Sequence, residues 1–584
     1  MIFSSTSSCS YHLAINAALQ SKPSSFSKLP VKQQAARPAA LAESNKASAV
    51  GCNGSGVAEA GPPRAAAANA YVSASSTSFS PARLPFVVFL LVLRRSSATA
   101  TARAREQLLN KLPSPPKKFP IIGHLHLLGS LPHVSLRDLA GKHGRDGLML
   151  LRLGAVPTLV VSSPSAAQAV LRTHDHVFSS RPCSFIADIL FYGSTDIVFS
   201  PYGEHWCQVR KIATTHLLTN KKVRSYRLSR EQEVRLVMGK IGEAVAASTP
   251  IDLSNLLNAF ANDIVCHAVS GKFFREERRN KLFRELVDTN SRLLGAFNPV
   301  EYFPILGRSD MVRKMLCAKA HKVHRVWDDL LSTIIDDHAS KSALLVDGEE
   351  SDFIDVLLSV QDEYQLTRDH IKAQLVVMFE AATDTTSLVL EYAVAELMRN
   401  PRTMDKLQTD LRTAIPQGKE IVTEDDLNGV PYLKAVIKET LRLHAPAPLL
   451  IPHFSMADCE IGGYSIPSGT RTVINNWALA RDPSYWECAE EFMPERFMEG
   501  GSASAMDYMG DDFLFLPFGS GRRRCPGINF AIPAVEVMLA NLMYHFNWEL
   551  PQELAERGID MTESFGVTLH RTQKLLLVPV PPQN

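Results

Sequence analysis

Phe515–Gly527 reads FLPFGSGRRRCPG and precedes a long stretch with helical apolar periodicity. Its cysteine, Cys525, stands at the predicted start of that helix, where unpaired N–H groups and the positive helix end favour thiolate over thiol. Gly521 and Gly527 have no Cβ, so their backbone can lie flat against a large planar ligand. Pro526 suits a first helical position because its missing N–H costs nothing there. The stretch therefore predicts a reactive thiolate beside a planar ligand.

The spacing Phe518-x-x-Gly521-x-x-x-Cys525-x-Gly527 fixes four residue types within ten positions. At these residues the chain resembles the cytochrome P450 family of haem-thiolate monooxygenases. The resemblance implies a mainly α-helical fold with small β-sheets and a single large haem domain. It also implies haem b (iron protoporphyrin IX) as cofactor, with Cys525 as the axial thiolate ligand of its iron. The alternative is a buried structural cysteine in an arginine-rich turn.

Composition limits the class of protein. The chain has 584 residues, of which 45% are hydrophobic, enough for a large core. Residues 1–105 hold eleven Lys and Arg but two acids, which leaves 51 basic and 58 acidic residues in the remainder. This mildly acidic body does not favour nucleic-acid binding. The nine cysteines are scattered without a C-x-x-C pair, as is typical of a reducing compartment rather than of a disulfide framework.

The chain divides at a proline-rich boundary. Residues 1–110 form a low-complexity basic leader, and residues 111–584 form the predicted cytochrome P450 catalytic domain. Four prolines between Leu112 and Pro120 predict a stiff, extended segment. The leader has one apolar run, at 84–93, which is shorter than the ~20 residues that span a bilayer.

Three interpretations of the leader stay open. The first is attachment to a membrane surface through the short run, with Arg94 and Arg95 on the cytosolic side; the resemblance then implies the cytosolic face of the endoplasmic reticulum membrane. The second is a plastid transit peptide, because the leader is rich in Ser and Ala and poor in acids. The third is a leader that derives from a wrong start or exon in the gene model.

Local signals predict several elements. Two β-rich runs meet at Gly154, which predicts a hairpin, and Ser163 before Pro164 predicts a helix N-cap. Residues 368–399 predict one long helix. Trp206 and Arg210 are four residues apart on one helix face, where an indole N–H and a guanidinium can both donate to a carboxylate.

The resemblance makes that carboxylate a haem propionate. The alternative is an amphipathic helix whose tryptophan packs on the arginine stem. The cofactor-binding residues that the resemblance implies are Trp206, Arg210, His453, Phe518, Gly521, Arg523 and Gly527.

The middle of the long helix reads AATDTT, residues 381–386. An acid and a hydroxyl in an apolar helix are expensive to bury without partners or a function. Asp384 and Thr385 are therefore the predicted catalytic pair that delivers protons during O2 activation. In the alternative, Thr385 bonds back to a carbonyl four residues earlier and bends the helix. Ala382 replaces the glycine that is usual in the family.

Further residues are assigned by the resemblance. Glu439, Arg442 and Arg496 form a structural ion network behind the Cys525 loop. Arginine suits this network better than lysine because its planar fork binds a carboxylate in two places. The predicted substrate contacts are Met378, Phe379, Ala381, Ala447, Leu449 and Phe565.

By implication the chain inserts one oxygen atom from O2 into a small apolar metabolite of plant secondary metabolism. Electrons come from a separate NADPH–cytochrome P450 reductase, because the chain has no Gly-x-Gly-x-x-Gly fingerprint. Lys211, Arg522 and Arg524 are the predicted docking cations.

Segments such as LPSPPKKFPIIGHLHLLG, AVSGKF and FGVTLHR resemble the grass monooxygenases of indole, indolinone and benzoxazinone rings. They predict hydroxylation of an indole-type or benzoxazinone-type N-heterocycle. Two alternatives stay open: a terpenoid or phenylpropanoid substrate, and a haem-thiolate protein without oxygenase activity.

Overall fold

A computed structural model describes residues 100–271, 277–342, 351–508 and 512–582. One compact unit includes all described residues from Arg105 onward. Of a second unit, Phe26–Ala104, only residues 100–104 are described. The predicted apolar run at 84–93 lies outside the described residues. Among the described helices, none combines the length and the apolar character that crossing a bilayer requires.

Helices make up most of the described structure. In chain order they are α1 Pro132–His143, α2 Pro164–Gln168, α3 Asp175–Phe178, α4 Phe185–Leu190, α5 Glu204–Ile212, α6 Asn220–Ser225, α7 Arg227–Ala247, α8 Leu253–Ser270, α9 Glu277–Gly295, α10 Pro299–Tyr302, α11 Asp310–Leu316, α12 Ala318–Ser342, α13 Phe353–Ser359, α14 Arg368–Arg399, α15 Pro401–Ala414, α16 Pro431–Leu443, α17 Asn476–Leu479, α18 Ile528–His545 and α19 Gln552–Ala555. Short 3-10 helices cover Leu125–Leu127, Leu306–Arg308, Glu424–Gly429 and Pro494–Phe497, and π-helical turns cover Ala169–Thr173 and Ala213–Leu217.

The strands are short and form small sheets. They are β1 Leu148–Leu153, β2 Val156–Val161, β3 Ile251–Asp252, β4 His453–Phe454, β5 Cys459–Ile461, β6 Tyr464–Ile466, β7 Arg471–Ile474, β8 Asn547–Glu549, β9 Glu563–Phe565, β10 Leu569–Arg571 and β11 Leu576–Val580. One sheet has the order β1-β2-β7-β4 and another β3-β11-β8, while β5 pairs with β6 and β9 with β10. The predicted fold class, mainly α with small sheets, is confirmed.

The long helix α14 forms the centre of the core. It begins after Thr367, whose hydroxyl accepts from the His370 N–H at 3.1 Å while the His370 ring accepts from the Thr367 N–H at 3.3 Å, a capping box. It ends before Pro401, as the sequence predicts. Most of its side chains are buried, because α8, α9, α16 and α18 pack around it. An acid in the middle of this helix, such as Asp384, therefore faces protein rather than solvent.

Helix α18 carries the Cys525 loop into the core. Gly527 is its N-cap and the helix begins at Ile528. The prediction that Pro526 is a first helical residue is wrong, because Pro526 lies two residues before the helix. Pro533 lies inside α18 and removes one helical hydrogen bond, yet the helix continues on both sides.

The predicted hairpin and cap are confirmed. β1 and β2 pair in antiparallel register from Leu153 opposite Val156. Gly154 turns the chain with φ +61°, and a Cβ there would lie 2.5 Å from the Tyr302 carbonyl oxygen. The Ser163 hydroxyl accepts from the Ala166 N–H at 3.3 Å and caps α2.

Candidate active site

The Cys525 loop places its thiol at the N-terminus of α18. The side chain is 4% exposed, and its Sγ accepts the Gly527 N–H at 3.0 Å. Such a bond stabilises a thiolate more than a thiol. Gly521 needs to lack a Cβ for a reason other than the predicted contact with a planar ligand. At φ +73° a Cβ would lie 2.4 Å from the Leu171 carbonyl oxygen, so the close approach is to the chain segment before α3.

An apolar cavity adjoins Cys525. About 650 Å³ of space between its lining atoms is not filled by protein, and part of that space is open to solvent. Its lining includes Ile197, Val265, Met378, Ala381, Ala382, Thr385, Cys525, Pro526, Gly527 and Phe530. A sulfur and a hydroxyl thus line a cavity whose walls are otherwise mostly apolar.

A second cavity beside the same turn is lined by cations. Arg181, Arg210 and Arg523 border it together with Trp206 and His453. Burial lowers the pKa of Arg181 to about 9 and the pKa of Arg523 well below its usual range. Burying several positive charges together is unfavourable unless anions compensate them. This wall therefore fits a ligand that carries carboxylates.

Trp206 holds this wall through its ring rather than its N–H. The indole N–H donates to the Ile197 carbonyl at 3.0 Å instead of remaining available to a ligand carboxylate. The Arg523 guanidinium stacks over the indole with its central carbon 4.2 Å from the ring centroid. Arg523 also donates to the carbonyls of Ser179 and Ser200, each at 2.6 Å. These contacts fix the direction of its guanidinium.

The sequence predicts that His453 contacts a haem propionate. In the structure, His453 lines the cavity of cations together with Arg181. The His453 Nδ1 lies 2.7 Å from the Phe178 carbonyl oxygen and donates to it. Burial, aided by the charge of Arg181, lowers the pKa of His453 to about 3, so the ring is neutral. Arg181 brings the charge and bonds the carbonyls of Ile451 and Pro452, both at 2.9 Å. Sequence reasoning missed Arg181, because its partners lie about 270 residues away.

The hydroxyl of Thr385 is bonded to the backbone of its own helix. It donates to the Ala381 carbonyl at 2.6 Å, which is the alternative weighed from the sequence, and it also lines the apolar cavity. Ala382 lines the same cavity. Helix α14 continues through these residues without a break in its assignment.

Asp384 turns toward other elements. Its Oδ2 accepts the hydroxyl of Thr568, lies 3.4 Å from the Ser291 hydroxyl and lies 3.3 Å from His570 Nε2. Burial raises the pKa of this carboxyl, but the His570 charge and the three hydrogen bonds outweigh burial and lower it overall. Ser291, Thr568 and His570 were not assigned a role from the sequence. The segment FGVTLHR contains two of them but gives no spacing signal toward residue 384.

The predicted substrate residues separate into two groups. Met378 and Ala381 line the apolar cavity with Cys525. Phe379 does not, because its ring packs in the core 4.8 Å from Phe283 and 6.0 Å from Trp327. A contact with substrate in that cavity is therefore wrong for Phe379.

Three further candidates also lie outside that cavity's lining. Ala447 and Leu449 are each 2% exposed within core clusters. The tip of the β9–β10 turn is Gly566-Val567, and the preceding Phe565 stacks on His133 with centroids 5.6 Å apart. The lining of the apolar cavity does not include Phe565, so the structure does not bring this residue to the predicted pocket.

The remaining cofactor candidate, Phe518, borders a third cavity. This cavity also contains Thr385, Pro517 and Ala531. This third cavity shares Thr385 and Ala531 with the apolar cavity beside Cys525.

Glu439, Arg442 and Arg496 lie in contact behind the loop. Arg442 donates to both Glu439 carboxylate oxygens, at 2.7 and 2.8 Å, and Arg496 donates to Oε1 at 3.0 Å. All three are at most 4% exposed. The guanidinium groups also donate to carbonyls between Ala480 and Glu491. The network ties α16 to the chain segment that precedes the Cys525 loop.

Comparison with known proteins identifies the family. A model of the family described as Cytochrome P450 matches residues 113–578. The chain belongs to the cytochrome P450 family. Among curated relatives, this P450 is 55% identical over 510 residues to indole-2-monooxygenase of Zea mays, covering 85% of this chain and 95% of that protein. It is 53% identical over 506 residues to 3-hydroxyindolin-2-one monooxygenase of Zea mays, covering 85% and 94%.

A solved structure agrees with this assignment. A zebra fish cytochrome P450 with abiraterone has a TM-score of 0.63 and 25% identity, and covers 78% of this chain and all of that chain. The chain is thus a P450 monooxygenase that uses a haem, O2, a redox partner and a small substrate. The geometry fits the haem: a buried thiolate donor faces apolar walls, and a cluster of buried cations lines one side.

Proposed function

We propose that this P450 holds haem b and hydroxylates an indole-type N-heterocycle, with electrons from an NADPH–cytochrome P450 reductase. The observation that carries the proposal is the apolar cavity that both Cys525 and Thr385 line. The relatives named for indole, indolin-2-one and 3-hydroxyindolin-2-one support the substrate class.

Specific residues would hold the cofactor. Cys525 would supply the thiolate ligand, and Gly527 donates its N–H to the sulfur. Arg181, Arg210 and Arg523 would bind the propionates, with Trp206 and His453 in the wall around them. When bound, the haem supplies the redox chemistry that activates O2.

Asp384 and Thr385 deliver protons to that chemistry. Thr385 presents its hydroxyl to the cavity, and Asp384 is the adjacent acid on α14. The lowered pKa of Asp384 keeps it ionised between turnovers, ready to accept a proton and pass it on.

Substrate selection follows from the cavity walls. Met378, Ala381 and Ala382 offer apolar contacts of modest size, which suit a flat bicyclic ring. A terpenoid or phenylpropanoid is the alternative substrate class. The reductase docks near Lys211, Arg522 and Arg524, and the protein works at the cytosolic face of the endoplasmic reticulum, with the plastid as the alternative site.

The thiolate assignment is tested by Cys525→Ser. The expected result is loss of bound haem, of the red-shifted Soret band of the reduced carbon monoxide complex and of product formation. Cys459→Ser is the control, since Cys459 lies on β5 away from the cavities. Retention of the thiolate band by Cys525→Ser would refute the assignment.

The substrate class is tested separately. The purified P450 is reconstituted with reductase, NADPH and O2, and supplied with indole, indolin-2-one, a monoterpenoid or a phenylpropanoid. Oxygenated product from an indole-type ring, with 18O incorporated from 18O2, supports the proposal. Product from a terpenoid or phenylpropanoid alone refutes the substrate class but not the monooxygenase assignment.

A further inference from the structure

Asp384 belongs to a buried polar cluster that is built from three elements. Ser291 lies on α9, Asp384 on α14, and Thr568 and His570 follow the turn after β9. Ser291 and Thr568 are each 2% exposed and Asp384 is 4% exposed. The turn packs directly on α9, since a Cβ at Gly295 would lie 2.5 Å from the backbone of residue 566.

The hydrogen bonds of the cluster all donate toward Asp384. The Thr568 hydroxyl donates to Asp384 Oδ2, because an ionised carboxylate only accepts. The Thr568 oxygen can then accept from His570 Nε2, which lies 2.9 Å away. A donor chain therefore leads from His570 through Thr568 to Asp384, and a direct His570 to Asp384 contact of 3.3 Å runs beside it.

His570 connects this cluster to solvent. Its side chain is 34% exposed, whereas that of Asp384 is 5% exposed. The two ends of the donor chain thus differ in access to water. One end can exchange protons with solvent, and the other adjoins Thr385 in sequence on α14.

Three acids face His570. Asp384 and Glu391 lie on α14, and Asp288 lies on α9. Asp288 pairs with Arg292 at 2.8 Å and Glu391 pairs with Arg571 at 3.0 Å, so Asp384 is the acid in contact with the imidazole.

The ion pair between His570 and Asp384 shifts the pKa of each residue. Burial lowers the pKa of His570, but the Asp384 carboxylate outweighs burial and raises it. The same contact lowers the pKa of Asp384. In the pH window between the two pKa values, His570 is a cation and Asp384 an anion.

We infer that His570 is the solvent-side proton donor of this P450 and that it recharges Asp384, through Thr568, with protons that O2 reduction consumes. The inference rests on the proposed roles of Asp384 and Thr385. It adds the residues that supply protons to Asp384.

Each transfer moves one proton and no electrons. The His570 imidazolium gives its Nε2 proton to Thr568 Oγ1, whose own proton passes to Asp384 Oδ2. Asp384 becomes a neutral carboxylic acid, the imidazole becomes neutral, and His570 regains a proton from solvent water. Asp384 returns to the carboxylate when it passes its proton on toward Thr385.

The same contacts could serve only as a clamp that holds the turn on α9 and α14. His570→Gln separates the two roles, because its amide N–H still donates to Thr568 but does not titrate. Thr568→Val and Thr568→Ser form a matched pair, since valine keeps the shape without the hydroxyl and serine keeps the hydroxyl.

The experiment measures how reduced O2 divides between peroxide and the fully protonated products, water or hydroxylated substrate. This division can be read with or without an accepted substrate, so it does not depend on the substrate class. In the wild type, the peroxide share rises as pH increases through the raised pKa of His570. In His570→Gln, we expect the fully protonated products to fall on the order of tenfold below the pH of that transition, and the pH dependence to disappear.

The same division between peroxide and fully protonated products is measured in three further variants. Thr568→Ser should behave as the wild type, whereas Thr568→Val should release more peroxide but keep the pH dependence, because the direct His570 contact remains. Asp384→Asn should release peroxide at every pH. The inference would be overturned if His570→Gln kept the wild-type division of reduced O2 and the wild-type pH transition. If Asp384→Asn released peroxide in that same case, the proposed role of Asp384 would still stand.

Thermal unfolding supplies a readout independent of turnover. His570 has a raised pKa, so its stabilising ion pair is present at low pH and is lost as pH rises through that pKa. The Tm advantage of the wild type over His570→Gln should therefore shrink with rising pH. A Tm difference that does not change with pH would contradict the ion pair on which the relay depends.

Discussion

Thr385 satisfies its hydroxyl within its own helix and still borders the cavity of Cys525. Its bond to the Ala381 carbonyl, at 2.6 Å, keeps the hydroxyl oriented without using its oxygen lone pairs. The hydroxyl can therefore accept a hydrogen bond while it donates to Ala381, but its one proton reaches the cavity only when the bond to Ala381 opens. Proton delivery then requires a rotation of the Thr385 hydroxyl away from the Ala381 carbonyl.

Replacing Thr385 by valine should uncouple electron use from product formation. Valine keeps the branched shape but has no hydroxyl, so product per NADPH should fall about a hundredfold, at the low end of general acid–base effects. The measurement is product, peroxide and NADPH in one reconstituted assay. Thr385→Ser is the control and should retain most of the coupling. Unchanged coupling in Thr385→Val would exclude the relay role.

Glu380 is a buried acid whose role the sequence did not reveal. It is 6% exposed, and its Oε2 lies 3.4 Å from the amide nitrogen of Asn290. Burial, with the nearby Asp384 charge, raises its pKa well above the usual range. An acid with a raised folded pKa binds a proton on folding, so stability falls as pH rises from the unfolded to the folded pKa.

Replacing Glu380 by glutamine should remove that pH dependence. Glutamine has the same shape and no charge, so Glu380→Gln should match the wild type at acidic pH. It should gain up to about 1.4 kcal/mol for each pH unit inside the window. Tm measured across pH, with equal haem content, provides the test. A constant difference at all pH values would show that folding does not raise the pKa of Glu380.

At the scale of elements, α16 and the segment before the Cys525 loop are joined by charge as well as by apolar packing. Glu439 accepts from Arg442, Arg496 and the Met493 N–H, so each of its oxygens is satisfied. Two buried guanidinium groups share this one carboxylate and use backbone carbonyls for their other donors. The arrangement is specific in geometry, which suits the support of a ligand loop.

Replacing Glu439 by glutamine should destabilise the protein by about 3–5 kcal/mol, because two buried guanidinium groups lose their counter-charge. The free energy of unfolding in urea and the haem content after gel filtration measure this effect. Glu495→Gln is the matched control, since Glu495 pairs with Lys406 at 2.9 Å with both side chains about half exposed. That pair should contribute less than about 1 kcal/mol. Equal losses for the two variants would refute the structural role of the network.

At the scale of the whole molecule, local sequence signals predict the helices, whereas the site is formed by contacts between residues that are far apart in the chain. The bounds of α14 follow from its Thr367 cap, its apolar faces and Pro401, all of which are local. Arg181, Ser291 and His570 carry no such signal, because each acts on a residue 90 to 280 positions away. Phe379 and Phe565 were misassigned for a related reason: a motif gives the element, but the packing decides which face of it meets the cavity.

The distribution of charge over the molecule also predicts how it meets its redox partner. Lys211 on α5 is exposed, and Arg522 is 45% exposed although it pairs with Asp175 at 2.7 Å. Arg522 belongs to the Cys525 loop, and Lys211 follows Arg210, which lines the cavity of cations beside that loop. The remainder of the chain after the leader carries a net negative charge. A basic face on an acidic body orients an acidic partner and raises its association rate.

Reversing the charge of Lys211 should weaken reductase binding without changing the chemistry. For Lys211→Glu we expect the reductase concentration at half-maximal rate to rise severalfold at low salt, while the rate at saturating reductase stays unchanged. The difference should shrink at about 0.3 M salt, because exposed charges are screened beyond a Debye length of less than 10 Å. Lys314→Glu, on α11, is the control and should behave as the wild type. If Lys314→Glu weakens the reductase as much as Lys211→Glu does, net charge rather than a docking face controls the association.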